Sequence, residues 1–109
     1  DDILCSRIAN NDTLTSVKIP VRKLSYFVNK YFKNEKYILI MDIEGSEGSV
    51  FEFDKDILKN CLMVIVELHP KLLTLYGHTL ESFLILAKEI GMKQIDKDNN
   101  VYVFENKFN

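Results

Sequence analysis

The stretch Tyr37-Ile38-Leu39-Ile40-Met41-Asp42-Ile43-Glu44-Gly45 runs from uninterrupted apolar residues into two acids spaced two apart, then a glycine. A run this uniformly apolar predicts a strand over 37–43 buried on both faces, as in a parallel sheet, not a half-exposed antiparallel one. Side chains alternate along a strand, so Asp42 and Glu44 would project to one side. A second stretch has the same form: Leu62-Met63-Val64-Ile65-Val66-Glu67-Leu68-His69-Pro70 predicts a strand over 62–68 closed by Glu67 and His69. In an open α/β sheet, ligands bind outside the carboxyl ends of the parallel strands. The two ionisable pairs therefore mark one candidate site.

Outward from these strands, Val21, Leu24, Phe27, Val28, Tyr31 and Phe32 recur at three- and four-residue spacing. That predicts an amphipathic helix over 21–32, ended by Lys33-Asn34-Glu35-Lys36. Val17-Lys18-Ile19 predicts a short strand stopped by Pro20, and residues 1–16, with Asn10-Asn11-Asp12, a loop-like lead-in. Gly45-Ser46-Glu47-Gly48 reads as a turn in which Ser46 or Glu47 starts a short helix reaching Phe53. A second helical piece over 55–60 follows. Pro70 opens a predicted loop holding Tyr76, Gly77 and His78. Thr79 is placed to cap a helix over 80–90, and Gly91 to end it. Residues 92–95 and 101–104 predict a hairpin around 96–100.

This order predicts an α/β fold with parallel central strands, right-handed crossovers and a terminal antiparallel hairpin as its edge. The expected organisation is a lead-in over 1–16, a domain over 17–105 and a tail over 106–109. The chain opens at Asp1 without a methionine, and its first strong strand comes late. That suggests an excerpt from something larger.

Composition narrows the function. At 109 residues the chain holds one domain at most, and 47% hydrophobic with 28% charged residues is ordinary for a soluble globular protein. A net charge of -2 offers no electrostatic footprint for nucleic acid. No apolar run approaches the roughly 20 residues that span a bilayer, and no signal-peptide pattern opens the chain. Cys5 and Cys61 lack CxxC spacing and read as two thiols in a reducing compartment, which makes the cytoplasm the default location. Neither GxGxxG, GxxxxGK[ST] nor GxSxG occurs, and the acidic Gly45-Ser46-Glu47-Gly48 is a poor phosphate cradle, which argues against nucleotide hydrolysis.

Asp42 and Glu44 have the chemistry of a general base, a metal ligand or an acceptor for substrate hydroxyls. The competing reading makes them caps for the following helix, where negative charge suits the dipole. Glu47 reads as a helix-start acid. His69 is a candidate proton acceptor with Glu67 orienting its ring, against the plainer reading of a surface histidine before a proline. Hard oxygen donors would suit Mg2+ or Mn2+, but acids and one histidine are not by themselves a metal signature, so no metal ligand is assigned.

Together, Ile40-Met41-Asp42-Ile43-Glu44-Gly45-Ser46-Glu47 and Val64-Ile65-Val66-Glu67-Leu68-His69 resemble the C-terminal half of the FkbM-type methyltransferase family. The family's hallmark is an apolar strand ending D-x-E-G-x-E, followed by a helix and a strand ending E-x-H. Val17 to Leu24 also resembles the segment before that hallmark, so the likeness covers roughly residues 17–105. It implies a Rossmann-like fold dependent on S-adenosylmethionine, and methyl transfer to a hydroxyl of a sugar or natural product. The implied site residues are Asp42, Glu44, Glu67 and His69, with Gly45 and Glu47 forming the turn and helix start. The glycine-rich turn with which the family binds its donor is not within these residues. The expectation is that it precedes Asp1, comes from another chain or has been lost.

Two other functions compete. A metal-dependent exonuclease also opens with an apolar strand ending D-x-E, but it needs later acidic motifs, and after His78 the helix offers only Glu81 and Glu89. A non-catalytic methyltransferase half would bind without turnover, and its exposed sheet edge would pair with another copy.

Overall fold

The structure, a computed structural model, describes residues 3–9 and 16–108, with side chains from residue 23 onward. Two strands, β1 (Ile3–Ala9) and β2 (Ser16–Arg22), form an antiparallel ribbon pairing Ile3 with Arg22 through Ala9 with Ser16. The lead-in expected as loop is thus strand over 3–9. The Asn10-Asn11-Asp12 cluster on which that expectation leaned lies outside the described residues. Strand β2 also runs through Pro20, opposite Cys5, instead of stopping there. In a two-stranded ribbon both strands are edges, where a missing N–H is tolerated.

The predicted helix over 21–32 is shorter, α1 (Leu24–Tyr31), because Val21 and Arg22 belong to β2. Then come β3 (Tyr37–Met41), α2 (Glu47–Phe53), a 3-10 turn (Lys55–Asn60) and β4 (Cys61–Glu67). Helix α3 (Pro70–Leu75) occupies what was expected to be loop. Proline at the first helical position lacks only an N–H that would be unpaired anyway, so Pro70 starts a helix here. Helix α4 (Leu80–Glu89) begins at the predicted Thr79: its hydroxyl accepts from the Ser82 N–H at 3.0 Å, and Ser82 Oγ accepts from the Thr79 N–H at 2.8 Å. Strands β5 (Met92–Asp98) and β6 (Val101–Asn106) form the terminal hairpin. It is longer than predicted, with its turn tightened to Asn99-Asn100 and Asn99 at φ 53°.

These strands make an open four-stranded sheet in the order β3-β4-β6-β5. Strand β4 is parallel to β3, and β6 is antiparallel to both β4 and β5. So β3, β4 and β5 run one way, with β6 reversed between β4 and β5. The predicted parallel pair is present, and the hairpin supplies an interior strand as well as an edge.

Register decides which face is core. Leu39 and Met41 pair with Val64 and Val66, which pair with Phe104 and Tyr102. On this face Phe51 of α2 and Phe83 of α4 stack with ring centroids 4.8 Å apart, and both meet Phe104 at 6.1–6.3 Å. Phe51, Phe83, Val64 and Val66 are fully buried. The core therefore sits between α2, α4 and one side of the sheet.

The other side departs from expectation. Strand β3 is an edge strand, and Ile38 and Ile40 are 55% and 74% exposed. An unbroken apolar run does not distinguish a strand covered on both faces from one with a bare apolar face. At the far end, Asn106, expected to open a tail, closes β6, and its buried amide donates to the Leu58 and Cys61 carbonyls at 2.8 and 2.9 Å. Among the described residues, no helix is long and apolar enough to cross a membrane.

Candidate functional site

The candidate site lies where β3 and β4 end side by side. Alternation puts Glu67 on the side of Ile65, away from the α2–α4 core, and Asp42 follows Met41 on the neighbouring strand. His69, two residues past Glu67, lies on the same side. Its Nε2 stands 3.6 Å from Glu67 Oε1 and 4.0 Å from Asp42 Oδ1. Donor atoms of all three residues fall within 4.8 Å of one another. The side chains are 52% (Asp42), 40% (Glu67) and 33% (His69) exposed, so the cluster is open to a ligand.

The position of His69 follows from the helix after it. Its carbonyl accepts the N–H groups of Leu72 and Leu73 at 2.9 Å, while Pro70 holds the first helical φ. One residue earlier, the Leu68 N–H donates to the Asn100 carbonyl at 2.8 Å, tying the end of β4 to the hairpin turn. The cluster thus rests on two strand ends and a helix start, which fix side chains better than a long loop does.

Asp42 is held by the turn behind it. Glu47, the first residue of α2, is fully buried, and its carboxylate turns back on its own loop. Oε2 accepts from the Ile43 N–H at 2.8 Å and Oε1 from the Gly45 N–H at 3.0 Å. Charge-assisted bonds of this kind are the stronger ones and leave little freedom in the turn. Gly45 has φ 102°, and a Cβ there would lie 2.3 Å from the Leu72 carbonyl oxygen. The turn after β3 therefore packs directly on α3, and it can do so only without a side chain.

Of the residues expected at the site, Asp42, Glu67 and His69 come together. Glu44 does not join them. Strand β3 ends at Met41, and Glu44 sits in the turn at φ 56°, where strand alternation no longer sets direction. The two-residue spacing that placed Glu67 and His69 on one side thus fails for Asp42 and Glu44. Gly45 and Glu47 form the turn and helix start, as read from the sequence. His78 is elsewhere: its ring covers Gly48, and its Nε2 faces Glu52 Oε1 at 3.3 Å. Tyr76 is exposed.

The sequence reading overlooked α3, whose backbone positions both His69 and the Gly45 turn. Pro70 directly after the ionisable pair was the available signal.

No curated relative and no solved structure matches the chain significantly. Residues 6–91 match the family model for the methyltransferase FkbM domain, including β3, β4, the turn between Asp42 and Glu47, and the Glu67–His69 pair. That match covers most of the chain, and with the clustered Asp42, Glu67 and His69 it leads to one conclusion: the chain belongs to the FkbM methyltransferase domain family.

Proposed function

We propose that the chain serves an S-adenosylmethionine-dependent O-methyltransferase whose acceptor hydroxyl sits at the edge formed by Asp42, Glu67 and His69. The convergence of these three side chains beyond two parallel strands carries this reading. In a Rossmann-like methyltransferase the acceptor oxygen attacks the methyl carbon in line with the donor sulfur. The O–CH3 bond forms as the S–CH3 bond breaks, the sulfonium becomes a neutral thioether, and the hydroxyl proton passes to a carboxylate. Asp42, the most exposed of the three, is placed to take that proton. Glu67 and His69 orient the hydroxyl. Most of the acceleration in such a reaction comes from positioning.

Acceptors with several hydroxyls, sugars or polyhydroxylated natural products, fit an open polar edge of this kind. A net charge of -2 gives the chain as a whole no electrostatic attraction for nucleic acid. A calorimetric titration with S-adenosylmethionine, followed by detection of S-adenosylhomocysteine with a panel of glycans, tests the reading. Turnover, and not donor binding, is expected to be lost in Asp42→Asn. A chain that shows no affinity for the donor is not an autonomous methyltransferase.

Ile38 and Ile40 favour a second reading, a non-catalytic module that pairs with another copy along β3. The unpaired side of β3 offers backbone groups to a further strand. Sedimentation separates this reading from the first, since a monomer at high concentration removes it.

A further inference from the structure

The spacing inside the Asp42–Glu67–His69 cluster is too wide for the three to satisfy one another. At 3.6 and 4.0 Å, neither carboxylate makes a hydrogen bond to the imidazole Nε2. Among the residues with described side chains, no lysine or arginine forms an ion pair with Asp42 or Glu67. Two carboxylates from different strands therefore face the same imidazole without a cation between them.

Such distances have a familiar chemical meaning. Donors about 2.1 Å from a common ion stand roughly 3 Å apart when adjacent and about 4.2 Å apart when opposed. The observed separations of 3.6 and 4.0 Å fall within that interval, and all three donor atoms lie within 4.8 Å. Two carboxylate oxygens and one imidazole nitrogen are a mixed hard-to-borderline set, suited to Mn2+ and its octahedral neighbours. They would fill three positions of six and leave the solvent-facing ones open for water or a substrate oxygen. The donors are also fixed by backbone that the ion does not have to organise, namely the Glu47-held turn on one side and the α3 start on the other.

We infer that Asp42, Glu67 and His69 form a divalent-cation site at the ends of β3 and β4, with open coordination positions for an acceptor hydroxyl. Ion binding stands on this geometry alone, whereas its use rests on the methyltransferase reading. With an ion bound, Glu67 and His69 would orient the hydroxyl through it, and the ion would supply Lewis-acid polarisation. The proton would leave to solvent or to the Asp42 oxygen not engaged with the ion. The site then selects acceptors able to present two neighbouring oxygens, such as vicinal diols, over simple alcohols.

Titration of the full chain with Mn2+ alone, followed by electron paramagnetic resonance of the free ion, tests the site. One saturable site is expected, weakened about tenfold or more in Asp42→Asn and in His69→Ala. In Glu44→Gln, which removes an acid from the same turn but outside the cluster, affinity is expected to hold. Circular dichroism checks that each variant is folded. Wild-type protein with no saturable Mn2+ binding overturns the site. So does equal loss in Glu44→Gln and Asp42→Asn, which would mean diffuse attraction to acids. Methyl transfer at full rate in chelator without a Mn2+ site removes the ion and leaves the methyltransferase reading. A Mn2+ site in a chain that does not bind S-adenosylmethionine supports the ion and removes autonomous methyl transfer by this chain.

Discussion

The Glu47 carboxylate accepts the Gly45 N–H at 3.0 Å from within a fully buried position, and with its second oxygen it holds the Ile43 N–H at 2.8 Å. Glu47 thereby closes the turn immediately after Asp42 and sets the direction in which the chain leaves β3. It acts on the site through the backbone, as a positioning residue and not a reacting one. A carboxylate in the acid-x-acid-Gly-x-acid pattern thus serves the architecture of the edge, while the first acid, Asp42, lies beside Glu67 and His69.

Substitution of Glu47 by Gln tests that division of labour. The amide keeps the size but has one acceptor oxygen and brings two donors, so one backbone N–H would face another donor in a buried place. An unsatisfied buried polar group costs roughly 1–3 kcal/mol, and Glu47→Gln should destabilise the fold by about 2 kcal/mol. Urea denaturation reads the loss, which should fall in the midpoint and leave the slope unchanged. A stability equal to wild type would mean that the turn does not depend on this carboxylate.

Gly45 makes the complementary prediction. Its φ of 102° is costly for any residue with a Cβ, and that atom would stand 2.3 Å from the Leu72 carbonyl oxygen, a backbone atom unable to swing away. Backbone strain of this type costs about 1–3 kcal/mol before the clash is added. Gly45→Ala should therefore lose roughly 3 kcal/mol or more and displace α3. If the protein still folds, His69 moves with α3, so the Mn2+ affinity falls as well. Full stability in Gly45→Ala would contradict the close approach of the two segments.

These two residues also show what a sequence discloses. Asp42, Glu67 and His69 were legible because strand periodicity places residues at a sheet edge, whereas the adjacency of β3 and β4 that joins them comes from the topology. Glu44 was misplaced because the period-two rule ends with the strand, and β3 stops at Met41. Strand β1 was hidden by a polar neighbourhood, since pairing in a ribbon is a property of two segments and not of one. The bare side of β3 was illegible for a related reason. Ile38 and Ile40 look the same in sequence whether a layer covers them or not, and only the packing of α2 and α4 on the opposite face reveals the difference.

Gly48 and His78 yield a prediction about the far side of α2. A Cβ on Gly48 would lie 2.5 Å from the His78 ring, which also faces Glu52 Oε1 at 3.3 Å. Displacing the ring from Gly48 would disturb its approach to Glu52. Overpacking of this kind costs about 1–3 kcal/mol. Gly48→Ala should therefore reduce stability by that amount, and amide exchange should quicken around His78. His78→Ala in the Gly48→Ala background should recover part of the loss, because it removes the clashing ring. A purely additive double variant would show that the two positions do not interact.

Alkaline pH should weaken the fold through Cys61. Its thiol is fully buried at the start of β4, and burial pushes its pKa above the ordinary thiol value, opposed in part by hydrogen bonding to the Met63 and Leu39 backbone. Burial likewise pushes Tyr37 up, reinforced by Cys61 and Asp54. Both groups are neutral when protonated, so the folded state retains protons that the unfolded chain releases. Stability is then fully present below the unfolded thiol's pKa and declines as pH rises through it, first from Cys61 and later from Tyr37. In urea melts between about pH 8 and 10, wild type should lose stability with pH more steeply than Cys61→Ala. Alkylation supplies an independent readout by peptide mass spectrometry. Cys61 in the native chain should react at least about tenfold more slowly than in urea, because both thiolate formation and access are suppressed. Equal reactivity in both states, or an alkaline slope unchanged by Cys61→Ala, would remove the thiol from this account.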